Sequence, residues 1–186
     1  MPTIKEYASR VSQEVTAVFQ CLDEEECDRL AEALVRAQKV FLIAVGRVFL
    51  SLQCFGKRLG HLGIDVQVVG SVTEKPITPQ DVLVVASGSG ESKVPVLITR
   101  LAREKGAVIA LITSAPVSTL KDMADLCVTI PCPTKNDSHR GVESIQPMST
   151  LFDQALHLLG DAVALKISEM KQLKKEELWK YHANLE

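Results

Sequence analysis

Residues 82–92 read Val-Leu-Val-Val-Ala-Ser-Gly-Ser-Gly-Glu-Ser. An apolar run with a β-branched majority is the pattern of a short buried strand, and its abrupt replacement by glycines and hydroxyl side chains marks where that strand stops. Beyond it Val94, Val96, Leu97, Ile98, Leu101 and Ala102 recur at helical spacing. Segment 87–92 therefore lies between the C-terminal end of a strand and the N-terminus of a helix. First-turn N–H groups have no intrahelical partner, the helix dipole favours negative charge there, and glycine lets backbone approach a ligand. Ser87, Gly88, Ser89, Gly90 and Ser92 thus predict an anion seat suited to a phosphate. The competing reading is plain turn chemistry, with Ser92 or a neighbour capping the helix. No Gly-x-Gly-x-x-Gly fingerprint and no Gly-Lys-Ser/Thr closure stands here, so nucleotide binding drops in rank.

The flanking sequence repeats the alternation. Segments 40–45, 66–69, 108–112 and 127–130 are further short apolar runs, separated by helical patterns through Leu50, Cys54, Leu59 and Leu62, through residues 94–102, and through a short turn at Leu120 and Met123. Gly46, Gly63 and Gly106 punctuate the elements. Five strands alternating with helices specify a parallel sheet with right-handed crossovers, an α/β fold whose ligands bind beyond the strand C-terminal ends near the reversal of strand order. That edge is expected to carry Gly46-Arg47, the serine loop and Thr113-Ser114. Two helices precede the first strand: one follows Ile4, Tyr7, Val11, Val15, Val18 and Leu22, and the next is capped by Asp23 with Glu26 as its box partner. Segment 131–149 is long and irregular, 150–170 is helical again, and 171–186 is a basic break followed by a short terminal helix or tail. The expected division is one domain over 1–186, with N-terminal helices at about 3–37, an α/β core at about 38–170 and a tail at 171–186.

Composition narrows the function. The 186 residues are 46% hydrophobic and 24% charged, enough for a real core. A net charge of -2 and a pI near 6.1 give no general attraction to nucleic acid or anionic membranes, so any phosphate selectivity must be local. Cys21, Cys27, Cys54, Cys127 and Cys132 are an odd set without Cys-x-x-Cys spacing and read as buried thiols in a reducing cytosol. With no secretory signal and no apolar span approaching about 20 residues, a cytoplasmic protein is expected.

These residues resemble the sugar isomerase (SIS) domain family, and within it the 6-phospho-3-hexuloisomerases. The matching pieces are Gly46-Arg47, the Arg58-Leu59-Gly60-His61-Leu62-Gly63 run, the serine loop, and the stretch from Ser114 to Asp125. Ser144-Ile145-Gln146-Pro147-Met148 before Leu151-Phe152-Asp153-Gln154 and the ending His182-Ala183-Asn184-Leu185-Glu186 complete the match. The serine loop points to the SIS class; the Gln-Pro-Met segment and the ending point to the hexuloisomerase branch. The resemblance implies a flavodoxin-like three-layer α/β/α sandwich with a five-stranded parallel sheet. It implies a sugar-phosphate ligand, no cofactor or metal, and a homo-oligomer, usually a tetramer. The implied reaction interconverts 3-hexulose 6-phosphate and fructose 6-phosphate, as in the ribulose monophosphate pathway. The chain departs from the family pattern at Val48-Phe49, where Ser-Gly is usual, at Ser149, where Gly is common, and at Asp153, where Glu is usual.

Moving a carbonyl from C3 to C2 requires a base at carbon and a group that shuttles protons between two oxygens through a cis-enediol. Asp153 is the leading base candidate and Glu143 its rival; for Asp153 the plain alternative is a first-turn acid stabilising the helix dipole. His182 is the candidate shuttle, since neutral imidazole both donates and accepts, and a tail could deliver it to a neighbouring subunit. Arg47 supplies positive charge at the ligand edge, with an interstrand salt bridge as its other role. His61 could approach the sugar, although packing is the commoner fate of a helical histidine. His139 and His157 lack a metal-ligand partner at helical spacing, so no metal site is expected. Two functions compete: an isomerase acting on a hexulose 6-phosphate or another sugar phosphate, and a non-catalytic phosphosugar-binding protein.

Overall fold

The computed structural model describes residues 1–134 and 141–185; His139 and Glu186 lie outside the described residues. The chain runs α1 (Ile4–Gln20), α2 (Glu24–Arg36), β1 (Val40–Ile43), α3 (Gly46–His61), β2 (Val66–Val68), β3 (Val82–Ala86), α4 (Lys93–Glu104), β4 (Val108–Thr113), β5 (Leu126–Thr129), α5 (Thr150–Met170) and α6 (Lys175–Leu178). Short 3₁₀ turns occupy Lys121–Met123 and Trp179–Tyr181.

All four strand pairings are parallel and the sheet order is β2-β1-β3-β4-β5. From β1 the chain steps outward through α3 to β2, whereas from β3 it steps the other way through α4 to β4. With right-handed crossovers, opposite directions put the two helices on opposite faces. Side-chain alternation follows. Val40, Leu42, Val82, Val84, Ala110, Ile112 and Val128 join the helices α2, α3 and α5 in one core, while Phe41, Ile43, Leu83, Val85, Ile109 and Leu111 meet Ala102 of α4 and Leu120 on the other side. The expected three-layer α/β/α sandwich is observed.

Close approach holds the larger layer together. A Cβ at Gly160 would lie 2.9 Å from Phe55, so α5 lies directly against α3. The buried stripe of α3 is Leu52, Phe55, Gly56 and Leu59; Leu50 and Cys54, which carried the helical period in the sequence, face outward. Of the five thiols expected to be buried only Cys132 is, since Cys21 at the end of α1 is exposed as well and Cys27 and Cys127 are half-buried. The outward turn seen in α3 recurs in α4, where Pro95, Thr99 and Ala102 pack inward and Val94, Leu97 and Leu101 remain about half exposed. Apolar residues on both faces of a helix make its inner face unreadable from period alone. In α1, Val15 and Val18 are buried whereas Ile4 and Tyr7 are exposed.

Asp23 caps α2 by accepting from the Glu26 amide at 3.1 Å. Glu26 is not its reciprocal partner. Its carboxylate crosses to the sheet edge and accepts from the Thr129 amide at 2.7 Å, because a strand-edge donor otherwise left without a partner costs more than an exposed N-cap amide that water can satisfy.

At the opposite end of the sheet from the serine loop, Asp81 is fully buried and Lys39 Nζ lies 3.1 Å from its Oδ2. Burial would raise its pKa, but hydrogen bonds from the Thr78 hydroxyl, Lys39 and the Thr78 amide outweigh burial and hold the carboxyl below its usual range. A depressed folded pKa gives stability that is present above the unfolded value of about 4 and is lost as pH falls through the folded value. Asp81→Asn is expected to cost about 2 kcal/mol at pH 7. Urea unfolding should show that gap at pH 7 and a smaller one near pH 3; equal midpoints at pH 7 would contradict the assignment.

Candidate functional site

Three helices begin at the C-terminal edge of the sheet, and none carries a side-chain cap. The N-cap residues are Val45 for α3, Ser92 for α4 and Ser149 for α5, and none makes a side-chain cap hydrogen bond. By contrast α1 and α2, which start elsewhere, are capped by Thr3 and Asp23. All three uncapped residues line one small hollow of about 140 Å³, with Val48, Ala86, Ser87, Gly88 and Ser89 completing the wall. Three positive dipole ends and their unsatisfied N–H groups thus converge on a space sized for a phosphoryl group and too small for a whole sugar phosphate.

The serines divide the work. Ser92 does not cap its helix; its Oγ lies 3.2 Å from Ser87 Oγ, tying the two ends of the loop together. Ser87 also accepts from the Gly90 amide at 3.1 Å. The Gly88, Ser89 and Ser92 amides make no hydrogen bond among the described residues and remain available to an anion. Gly90 has a different role from the ligand approach its sequence suggested. Its φ is +67°, its amide turns inward, and an added Cβ would lie 2.1 Å from Ser118 Oγ, so glycine is needed for loop-on-loop packing. Gly88 likewise backs onto Thr134 and Phe152. Thr113 and Ser114 brace the loop from beneath: Thr113 Oγ1 donates to the Ser87 carbonyl at 2.7 Å and the Ser114 amide to the Gly88 carbonyl at 3.2 Å. Both are buried and neither lines the hollow.

One helical turn past Ser149, Asp153 is 4% exposed, and its Oδ2 accepts from Arg47 Nε at 2.7 Å. Its other oxygen, Oδ1, has no hydrogen-bond partner, and neither does Oε1 of Gln154. A buried acceptor left without a donor costs about 1–3 kcal/mol, and here, beside the ligand edge, a substrate hydroxyl or C–H can approach it. Arg47 is mostly exposed, and the hydrogen bond to Asp153 raises its pKa further, so it is a fixed cation with donors to spare. Gly46, just before it, takes φ +61° to turn the chain from β1 into α3. The ion pair borders a second, larger cleft of about 620 Å³ between α1, α3 and α5 that also reaches Gln154 and His157. Cys132 lies nearby, but burial pushes its thiol up to about 12, which removes it as a nucleophile.

The other candidates are not gathered here within one protomer. His61 and His182 stack on each other, ring centroids 4.9 Å apart, at the far end of α3, about 21 Å from Arg47 for 14 residues of helical rise. Glu143 is exposed and makes no hydrogen bond or ion pair among the described residues. Among the described residues no three His, Cys, Asp or Glu side chains gather as metal ligands, and no helix is long and apolar enough to cross a membrane. Sequence reasoning missed Glu14, which accepts from Ser144 Oγ at 2.6 Å, the Ile145 amide at 2.9 Å and Gln146 Nε2 at 3.0 Å. Nothing in its local pattern separates it from an ordinary surface glutamate.

Comparison with known proteins places this geometry in a family. The model of the SIS domain matches residues 33–158, and the chain belongs to the SIS domain family. The chain is 34% identical to the 3-hexulose-6-phosphate isomerase of Bacillus subtilis, covering 97% of this chain and 98% of that protein. It is 38% identical to the 3-hexulose-6-phosphate isomerase of Mycobacterium gastri, covering 96% and 89% respectively. Its fold also superposes, with a TM-score of 0.83 at 26% identity and coverage of 97% and 99%, on a hypothetical protein from Methanococcus jannaschii for which a molecular function of 3-hexulose-6-phosphate isomerase has been inferred.

The uncapped helix ends yield a direct expectation. Ser92→Asp supplies α4 with its own carboxylate cap, which should stabilise the protein by about 0.5–1 kcal/mol while filling the hollow with negative charge. Thermal melting and phosphate titration should show a higher Tm together with lost phosphate binding; retained binding would mean the anion sits elsewhere.

Proposed function

We propose that the chain is an isomerase that interconverts 3-hexulose 6-phosphate and fructose 6-phosphate through a cis-enediol. The observation that carries this reading is the spacing of the two features described above. A seat made of three uncapped helix ends lies one turn of α5 from a buried carboxylate whose second oxygen lacks a partner. The phosphoryl group occupies the seat, held by the Gly88, Ser89 and Ser92 amides and the serine hydroxyls. The carbon chain extends toward Arg47 and Asp153. Asp153 removes the C2 proton of the 3-ketose and returns it to C3, and the Arg47 donors not bonded to Asp153 meet the negative charge that develops on O3. The proton on O2 must reach O3. His182 performs this only from a second copy of the chain, because in its own protomer it stacks on His61 far from the seat.

That requirement fits a homo-oligomer, dimer or tetramer. Val94, Leu97 and Leu101 form an apolar stripe on α4, with exposures of 53%, 56% and 48%. The same reading takes the protein to be cytoplasmic, supported by five free thiols. One observation favours a second reading, a phosphosugar-binding protein without turnover: Val48 walls the seat with an isopropyl group where the family usually carries a hydroxyl.

A coupled assay separates the readings. A hexulose phosphate synthase supplies 3-hexulose 6-phosphate from formaldehyde and ribulose 5-phosphate, and fructose 6-phosphate is measured. Turnover is expected in the wild type. Ser89→Ala should weaken sugar-phosphate binding about tenfold, whereas Asp153→Asn should keep binding and lose at least about 10²-fold in kcat. Binding without turnover in the wild type would select the second reading, and an active Asp153→Asn would move the base to Glu143 or elsewhere.

A further inference from the structure

The Ser144-Ile145-Gln146-Pro147-Met148 segment does not line the seat, yet it delivers the chain directly into α5, whose N-cap is Ser149 and whose first turn carries Asp153. Two observations show that this delivery is held rather than relaxed. The first is the grip of Glu14. From the second half of α1, more than 100 residues away in the chain, one carboxylate takes three donors from residues 144–146, and Ser144 Oγ in turn accepts from the Gln146 backbone amide at 3.0 Å. Three bonds to one ionised group are charge-assisted and stronger than neutral ones.

The second is backbone strain. Met148 takes φ +55° although it is not glycine, a conformation that is unfavourable for a residue with a side chain and persists only where the surroundings impose it. Its side chain is 81% exposed, so packing does not impose it. The constraint comes from both sides along the chain. Glu14 fixes residues 144–146, and Thr150 bonds back to the Pro147 carbonyl through its hydroxyl at 2.7 Å and its amide at 3.3 Å. The strained turn between these two fixed points sets where Ser149 and, through the Asp153 amide bonded to the Ser149 carbonyl at 3.2 Å, the first turn of α5 lie.

We infer that Glu14 is a positioning residue: by clamping residues 144–146 it holds the strained Met148 turn and so aims the first turn of α5, with Asp153, at the ligand. The inference rests on the function proposed above for its kinetic consequence, but the clamp itself is a statement about structure. It also gives the Gln-Pro-Met segment a task. Gln146 supplies one of the three donors, and Pro147 supplies the carbonyl that Thr150 holds.

Since the amides at 88, 89 and 92 belong to a different loop, loosening the clamp should disturb Asp153 far more than phosphate binding. Glu14→Ala is expected to lower kcat by about 10- to 100-fold with KM for the hexulose phosphate and the affinity for inorganic phosphate changed less than about threefold. Glu14→Gln should recover at least half of the wild-type kcat, because its carbonyl still accepts from the Ile145 amide while the Ser144 hydroxyl and, after a flip of its side-chain carboxamide, Gln146 Oε1 can accept its two N–H groups. Should Glu14→Ala fail to fold, Ser144→Ala combined with Gln146→Leu removes two of the three bonds from the loop side, leaving the Ile145 amide in place, and is expected to give the same kinetic pattern with a smaller loss of kcat. Hydrogen exchange over residues 144–153 reads the contact without relying on catalysis: protection there should fall in Glu14→Ala and return in Glu14→Gln, with the serine loop unchanged. Unchanged exchange at 144–153, a kcat within twofold of wild type, an equal loss in phosphate affinity, or no recovery in Glu14→Gln would each overturn the inference. A wild type without turnover would defeat the proposed reaction instead, and exchange alone would then decide the clamp.

Discussion

Three helix N-termini that lack side-chain caps and face one small space are the constraint around which the molecule is arranged. A good N-cap contributes about 1 kcal/mol, so leaving Val45, Ser92 and Ser149 without that bond forgoes about 3 kcal/mol of helix stability. The long helices α1 and α2, which begin elsewhere, do not make this sacrifice. An anion placed among the three ends satisfies the exposed N–H groups and meets all three dipoles at once, in surroundings where the chain carries no net positive charge to do so by other means.

The sheet topology makes this convergence possible. β1 and β3 are neighbours at the point where strand order reverses, so the helices that follow them leave toward opposite faces while their first turns stay side by side. The third end cannot arrive by a crossover, because α5 follows the edge strand β5 and must return across the larger layer. It is carried there by residues 141–149, which are tied to the Pro131 carbonyl through Val142 and to α1 through Glu14. Close packing of Gly160 on Phe55 then seats α5 beside α3 and brings Asp153 to Arg47.

Much of this was legible in the residues themselves. The strand, loop and helix of residues 82–104 are readable because apolar period and turn chemistry change within a few positions. α5 spans residues 150–170 as its periodicity predicts. The SIS resemblance in the serine loop and in the Gln-Pro-Met segment agrees with the family to which the chain belongs. What could not be read depends on distance. Leu50, Leu97 and Leu101 look like core residues because helical period does not say which of two apolar faces turns inward. Glu26 and Glu14 look like surface acids because their partners, Thr129 and residues 144–146, lie more than 100 positions away. Gly90 looks like a ligand-approach glycine because the sequence cannot show Ser118 pressed against it. His61 and His182 each resemble a site residue on its own, and only the folded chain shows them stacked together at the far end of α3.

A crystal structure of the protein with fructose 6-phosphate bound tests the central claim most directly. Phosphorus density is expected in the hollow beside Val48, with phosphoryl oxygens accepting from the Gly88, Ser89 and Ser92 amides and the sugar carbons directed at Asp153. Phosphoryl density in the cleft between α1, α3 and α5, or a hollow that stays empty at saturating ligand, would contradict it.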